Sequence, residues 1–466
     1  MSVGGSVLKG FQWVCRFNFG NFEREEFKKF LRMGVIFALI IGVYWTLRPL
    51  KDAVFIQLVG NLQLPFAKTV SVLALLPLVM FYTRLLEKTS REKMLIILPT
   101  FYGISILAFS FLMMIIQALP VEGRSAFASI SIKGLGYFWY LFVESFGSLV
   151  VALFWAFAAD TTEPTEAKRG FPLVVAIGQV GGIILPYSIG GLPHRLHLVT
   201  DFLSILSLGL LTLFLIPLIR YFFRATPKHL LTSFHGKNEK TLEKKQEPGF
   251  LEGLKLLLKH RYLLGIFAAN FIYEVVVTIF DFNFKLAAST EYTGVALSHY
   301  LSLYGSSVNI VSLLCLLLGI SNVTRFLGVG TALAAMPVIV ACATFGFLSL
   351  GSLSFLFVLM VGSKAINYAL NGPALKQLYI PTTPDVKFKA QAWIETFGSR
   401  SSKQAGSMFN MSLAPLQSSF GAVVGKSHYL TLSAILCFPL LAFWLFIAIF
   451  LGRSFKKAVQ NNQLIC

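Results

Sequence analysis

Apolar runs of about 20 residues, the length a helix needs to cross the hydrocarbon of a bilayer, recur along the whole chain. They predict spans over residues 31–49, 64–85, 93–117, 134–158, 171–190 and 199–221. A second set is predicted over 262–285, 297–319, 325–346, 351–372, 396–424 and 428–452. The pattern is weakest at 386–424, where Gly398, Arg400 and Lys403 dilute the apolar run and leave the count open by one.

Polar stretches then set the organisation. Arg224 to Gly249 is rich in Lys and Glu and closes on Pro248-Gly249. It cannot bury a core and is expected to be a solvated linker. The chain therefore divides into a cytoplasmic amphipathic N-terminal segment (1–29), a six-helix half (30–221), a charged cytoplasmic linker (222–261), a second six-helix half (262–452) and a cytoplasmic tail (453–466). The predicted exits of spans four and ten are alike: Asp160-Thr161-Thr162-Glu163-Pro164-Thr165-Glu166-Ala167-Lys168-Arg169 against Pro381-Thr382-Thr383-Pro384-Asp385-Val386-Lys387-Phe388-Lys389. Similar loops at corresponding helices are the mark of parallel repeats. The expected fold is an all-α polytopic membrane protein of about 12 transmembrane helices, in the major-facilitator-like arrangement of two six-helix halves.

Composition agrees with lipid as the solvent, because 56% of residues are hydrophobic and 13% are charged, against roughly 25% charged in soluble domains. With the N-terminus inside, 30 of the 40 Lys and Arg residues fall in cytoplasmic segments, so both termini are expected to be cytoplasmic. The net charge of +19 is spread over loops of one side, without the basic patch interleaved with aromatics that a nucleic-acid binder needs. Membrane lipids, not nucleic acid, are the expected surroundings, and the chain is taken to be a monomer. Cys15, Cys315, Cys342, Cys437 and Cys466 show no metal-ligand spacing or disulfide framework. No cofactor is implied. Glu23, Glu25 and Glu26 before the first span speak against a cleavable leader, and residues 21–31 read as an amphipathic helix on the inner face.

The informative residues are ionisable groups inside or against the spans, each costing roughly 2.5–3.5 kcal/mol unless it meets a cavity or a partner. Arg48, Lys51 and Asp52 follow span one, Glu144 lies in span four, and Glu274, Asp281 and Lys285 lie in or against span seven. Lys364 sits in span ten, Arg400 and Lys403 in span eleven. For the acids, salt bridges holding helices together are the plain alternative, and Arg48 and Lys285 have snorkelling to the outer interface as theirs. Lys364, Arg400 and Lys403 need anionic company that their own helices lack, and an anionic ligand would supply it. No Walker A sequence is present, so no ATPase motor is indicated.

At these residues the chain resembles the ATP/ADP translocase family of nucleotide transporters of obligate intracellular bacteria and plant plastids, over about residues 22–450. The resemblance is carried by Glu23-Arg24-Glu25-Glu26-Phe27-Lys28-Lys29-Phe30-Leu31, by Leu47-Arg48-Pro49-Leu50-Lys51-Asp52, and by Glu144-Ser145-Phe146-Gly147-Ser148 with Phe154-Trp155-Ala156-Phe157-Ala158. Glu166-Ala167-Lys168-Arg169 and Gly398-Ser399-Arg400-Ser401-Ser402-Lys403 complete it. It implies a carrier, not an enzyme, that moves nucleoside tri- and diphosphates by alternating access across the inner membrane of an intracellular bacterium. Cations would hold the phosphates and acids would govern coupling.

The family's span-one lysine falls on Lys51, its span-four glutamate on Glu144, and its span-seven acid and following lysine on Asp281 and Lys285. Arg48, Lys364, Arg400 and Lys403 complete the expected substrate-binding set. Departures are Pro49-Leu50, the shortened acid Asp281, Leu375 and Lys376 in place of a lysine and a glutamate, and Gln391 in place of a cation. Preference for ATP over ADP is therefore not carried over. ATP/ADP exchange and proton-coupled import both remain open, and Glu274, outside the family pattern, is the candidate coupling acid. The alternative is a major-facilitator carrier for another phosphorylated organic anion. A lipid-modifying enzyme would need a clustered nucleophile or metal triad, which the sequence does not display.

Overall fold

Why the first helix begins where it does is set by three acids. Glu26 Oε2 accepts a hydrogen bond from the Glu23 backbone N–H at 3.2 Å, the reach-back of a capping box. Glu25 and Glu26 in the first turn face the positive end of the helix dipole, and Lys28 pairs with Glu25 at 2.7 Å one turn on. From Arg24 the chain then runs as one 35-residue helix, α1 (Arg24–Leu58), through Pro49.

The computed structural model describes residues 22–89, 91–118, 126–162, 164–231, 250–317, 327–350, 352–383, 390–394, 398–461 and 463–465. The leading part of the expected amphipathic segment, most of the charged linker and the 384–389 half of the second loop motif lie outside them. After α1 come α2 (Leu64–Lys88), α3 (Arg91–Ala118), α4 (Ala126–Asp160), α5 (Pro164–Leu185) and α6 (Phe202–Ala225). A short helix α7 (Phe250–Lys259) closes the linker, followed by α8 (Arg261–Glu291), α9 (Gly294–Leu317), α10 (Val329–Leu350), α11 (Leu353–Ile366) and α12 (Gly372–Gln377). The chain ends through α13 (Ser399–Asn410), α14 (Leu413–Phe420) and α15 (Ala422–Gln460). Among the described residues nine helical stretches are long and apolar enough to cross a membrane. The remaining three expected spans, 64–85, 297–319 and 396–424, fall on α2, α9 and the pair α13–α14.

The span expected over 396–424 is broken between Asn410 and Leu413. A buried polar chain fixes the break: Tyr429 of α15 donates to Asn410 Oδ1 at 2.6 Å, and Asn410 Nδ2 donates to the Thr278 carbonyl of α8 at 3.2 Å. Asn283 Nδ2, one turn further along α8, reaches Tyr429 Oη at 3.3 Å. A broken helix at membrane depth is tolerated where side chains satisfy the freed backbone groups in this way.

Two compact units emerge. Unit 1 comprises residues up to Val54, Leu75–Glu239 and Gly294–Ser306, and unit 2 comprises Phe55–Ala74, Lys240–Thr293 and Ser307 onward. A cut at the linker alone would leave α2 and α9 whole, whereas here each is shared. The start of α2 belongs with α8 because Asn61 Nδ2 donates to Ser289 Oγ at 3.1 Å and Lys68 meets Asp281 at 3.5 Å. The start of α9 belongs with α5 and α6 because Ser298 donates to the buried Asp201 at 2.9 Å and Ser306 to the Ile183 carbonyl at 3.2 Å.

Within unit 1, α5 lies so close to α1 that a Cβ on Gly181 would fall 1.9 Å from the Ala38 carbonyl oxygen. Gly178 meets the Phe37 ring in the same seam, the small-residue packing of membrane helices. Lys29 of α1 pairs with Glu166 of α5 at 3.0 Å, joining the polar starts of these two helices. Arg32 caps α6, donating to the Ala225 carbonyl at 2.7 Å, where a cation suits the negative end of the dipole. Within unit 2, α8 packs along α13, and α10 along α15, with Gly330 and Gly452 in backbone contact.

Candidate functional site

In unit 1 the site begins on α1. Leu47, Leu50 and Val54 are fully buried, and Lys51 lies between them on the inward face, its side chain 5% exposed. An ammonium so withdrawn needs several partners. Lys51 Nζ donates to Glu144 Oε2 at 2.6 Å, stands 3.7 Å from Asp52 Oδ1, and lies 3.8 Å above the Tyr140 ring. Tyr140 and Glu144 are one turn apart on α4, so a single helix face grips the lysine by ring and carboxylate. Beside them Tyr102 of α3 and Ser145 share a 2.6 Å hydrogen bond that locks α4 in register. Glu144 keeps 42% of its side chain exposed near the middle of α4. Because an ionised group facing hydrocarbon is so costly, that exposure suits water or a polar ligand and not lipid. Arg48 rests 5.3 Å from the Trp45 ring.

In unit 2 the centre is Asp281. From Val275 to Leu286 every residue of α8 is buried, the sign of a helix surrounded on all sides. Into that environment Asp281 brings a carboxylate that takes Lys285 at 2.5 Å on Oδ2 and Lys364 of α11 at 2.6 Å on Oδ1. Lys68 of α2 stands 3.5 Å from Oδ2. Two turns back on α8, Glu274 Oε1 meets Lys403 Nζ at 3.6 Å and accepts from Ser399 Oγ at 3.3 Å, both on α13. Lys403 is 51% exposed. Arg400, on the same helix and half-buried, makes no ion pair among the described residues.

The structure thus gathers the residues expected from sequence into two sets, Arg48, Lys51 and Glu144 in unit 1 and Asp281, Lys285, Lys364, Glu274, Lys403 and Arg400 in unit 2. The anionic company that Lys364 and Lys403 lack on their own helices comes from α8. Two partners escaped the sequence reading. Lys68 lies inside the 64–85 span and met the same criterion as Lys364. Tyr140 gave no signal beyond its one-turn spacing from Glu144.

Solved structures with the same fold include a bacterial homologue of the iron transporter ferroportin in an inward-facing state, with a TM-score of 0.57 at 12% identity, covering 91% of this chain and 98% of that one. The nucleoside transporter NupG matches with a TM-score of 0.57 at 12% identity, covering 92% of this chain and 99% of its own. These show the fold, the major-facilitator-like arrangement expected from the sequence. In sequence it is 24% identical to ADP,ATP carrier protein 1 of Rickettsia typhi, over 95% of this chain and 96% of that protein. It is 22% identical to ADP,ATP carrier protein 4 of Rickettsia conorii, over 95% and 94% respectively. The model of the TLC ATP/ADP transporter family matches residues 12–455, and the chain belongs to that family of transporters.

Proposed function

We propose that this protein carries nucleoside tri- and diphosphates across a bacterial inner membrane, exchanging one for the other by alternating access. One observation carries the reading: three lysines converge on the single carboxylate of Asp281 within a membrane span, a surplus of positive charge suited to polyphosphate. Lys51, Arg48, Arg400 and Lys403 are the further phosphate-binding candidates. Glu144 and Asp281 hold the lysines in place while substrate is absent.

Exchange is favoured over proton symport because each acid has a lysine partner, at 2.6 Å for Glu144, 2.5 Å for Asp281 and 3.6 Å for Glu274. Acids in salt bridges can swap partners between states without taking up a proton. Cells expressing the protein should take up labelled ATP, and unlabelled ADP inside should accelerate that uptake, with a protonophore changing it by less than about twofold. Labelled GTP, CTP and UTP in parallel define the base preference. Glu274 has the longest pair, at 3.6 Å, and is the candidate coupling acid. If the protonophore abolishes accumulation and Glu274→Gln removes its pH dependence while counterflow survives, symport replaces exchange. Uptake of another phosphorylated anion in place of every nucleotide would favour the wider major-facilitator alternative.

Cytoplasmic termini are supported by the excess of Lys and Arg on one set of loops. A cysteine introduced by Asn238→Cys in the Lys-rich linker should resist an impermeant thiol reagent in intact cells and react after permeabilisation. Ready labelling from outside would invert the orientation.

A further inference from the structure

Asp281 carries more positive charge than one carboxylate can match. Lys285 and Lys364 each take one of its oxygens at 2.5 and 2.6 Å. Lys68 arrives from a third helix at 3.5 Å, beyond the roughly 2.7–2.9 Å of a charge-assisted hydrogen bond. It is also the most open of the three, with its side chain 21% exposed against 10% for Lys285 and 12% for Lys364. Lys68 is therefore the lysine held most loosely by the acid.

The neighbouring residue shows where this part of α2 is anchored. Thr69 Oγ1 accepts from Gln404 Nε2 of α13 at 2.8 Å, and Arg400 lies one turn before Gln404 on that helix. This part of α2 is thereby tied both to α13, through Thr69, and to Asp281 of α8, through Lys68. Four cations, Lys68, Lys285, Lys364 and Lys403, pair with the acids Asp281 and Glu274 among the described residues. A surplus of this size in a membrane span is costly until an anion offsets it. A nucleoside di- or triphosphate carries several negative charges at its phosphate end, and a monophosphate carries fewer.

We propose that Lys68 is a phosphate-binding cation that completes a three-lysine cradle with Lys285 and Lys364, selecting di- and triphosphates over monophosphates, and that Asp281 fills the cradle while no phosphate is bound. The inference rests on the nucleotide reading above and adds to it Lys68 as the residue through which the number of phosphates is sensed. On substrate entry Lys68, with the longest contact to surrender, moves first to the phosphate. Asp281 keeps Lys285, its partner on the same helix.

The test is equilibrium binding of ATP, ADP, AMP and inorganic pyrophosphate to purified protein in lipid nanodiscs. Lys68→Gln is expected to weaken ATP and ADP by about tenfold, the loss of one charge-assisted contact, and AMP by less than about threefold. Lys68→Arg should keep ATP binding near that of the original protein. Asp281→Asn should bind pyrophosphate at least about threefold more tightly, because the competing anion is gone. Unchanged ATP binding in Lys68→Gln, an equal loss for AMP and ATP, or no gain in Asp281→Asn would each overturn the proposal while leaving nucleotide transport intact. If the unaltered protein binds none of the nucleotides, the functional reading fails first and this inference with it. Lys68 is part-exposed and makes no short contact with Asp281, so Lys68→Gln is expected to fold and give a clear answer.

Discussion

Reversing one charge with Lys51→Glu should lower nucleotide uptake by about a hundredfold or more, with the protein still present in the membrane. Lys51 is buried and held by Glu144 at 2.6 Å, by Asp52 at 3.7 Å and by the Tyr140 ring. Losing a charge-assisted contact to a phosphate costs roughly 1.5–3 kcal/mol, and each 1.4 kcal/mol is about a factor of ten. The reversal adds repulsion, because a third carboxylate would stand beside Glu144 and Asp52. The exchange Lys51→Glu/Glu144→Lys separates two roles. It restores an ion pair between the same positions and should recover expression and thermal stability. If Lys51 only braces α1 against α4, the swap recovers uptake as well. If the lysine's position on α1 is needed to meet phosphate, uptake stays near the level of Lys51→Glu. Initial rates of labelled ATP uptake, normalised to protein in the membrane, decide between them.

How much of this was visible beforehand depends on the physical range of each signal. A span announces itself locally, because about 20 consecutive apolar residues have no comfortable place other than lipid. The long helices α1–α6, α8–α11 and α15 accordingly lie close to the predicted runs. The break in α13–α14 was foreshadowed only as a diluted stretch, since its cause is the contact of Asn410 with Tyr429 and Thr278 on two other helices. Ionisable residues in spans were equally conspicuous, and Lys51, Glu144, Asp281 and Lys364 all found partners. Pairing itself is a long-range property. Nothing near Lys364 in sequence points to Asp281, 83 residues away, and nothing near Lys68 points to that acid either. The shared ownership of α2 and α9 by the two units was invisible for the same reason. It arises from single hydrogen bonds such as Ser298 to Asp201, 97 residues distant.

Asp281→Ala should be the most destabilising single substitution in unit 2. Removing one partner of a buried ion pair costs roughly 3–5 kcal/mol, because the other charge is left without compensation. Here three ammonium groups within 3.5 Å of the carboxylate would lose it together. Detergent-solubilised protein unfolds irreversibly in such cases, so the measurement is the half-life of the folded protein at fixed temperature. A shortening of about a hundredfold or more is expected. The paired substitution Asp281→Leu/Lys285→Met removes opposite charges together and replaces them with apolar volume, which is often neutral for buried pairs. It should recover much of the loss, although Lys364 would remain without its acid. Added pyrophosphate should lengthen the half-life of Asp281→Ala by a larger factor than that of the unaltered protein, since a mobile anion then occupies the position of the lost carboxylate. Sodium chloride at equal ionic strength should not reproduce that effect. If Asp281→Ala survives as long as the unaltered protein, the three lysines are hydrated in the folded state. The charge surplus on which the phosphate-binding reading depends would then be offset by water.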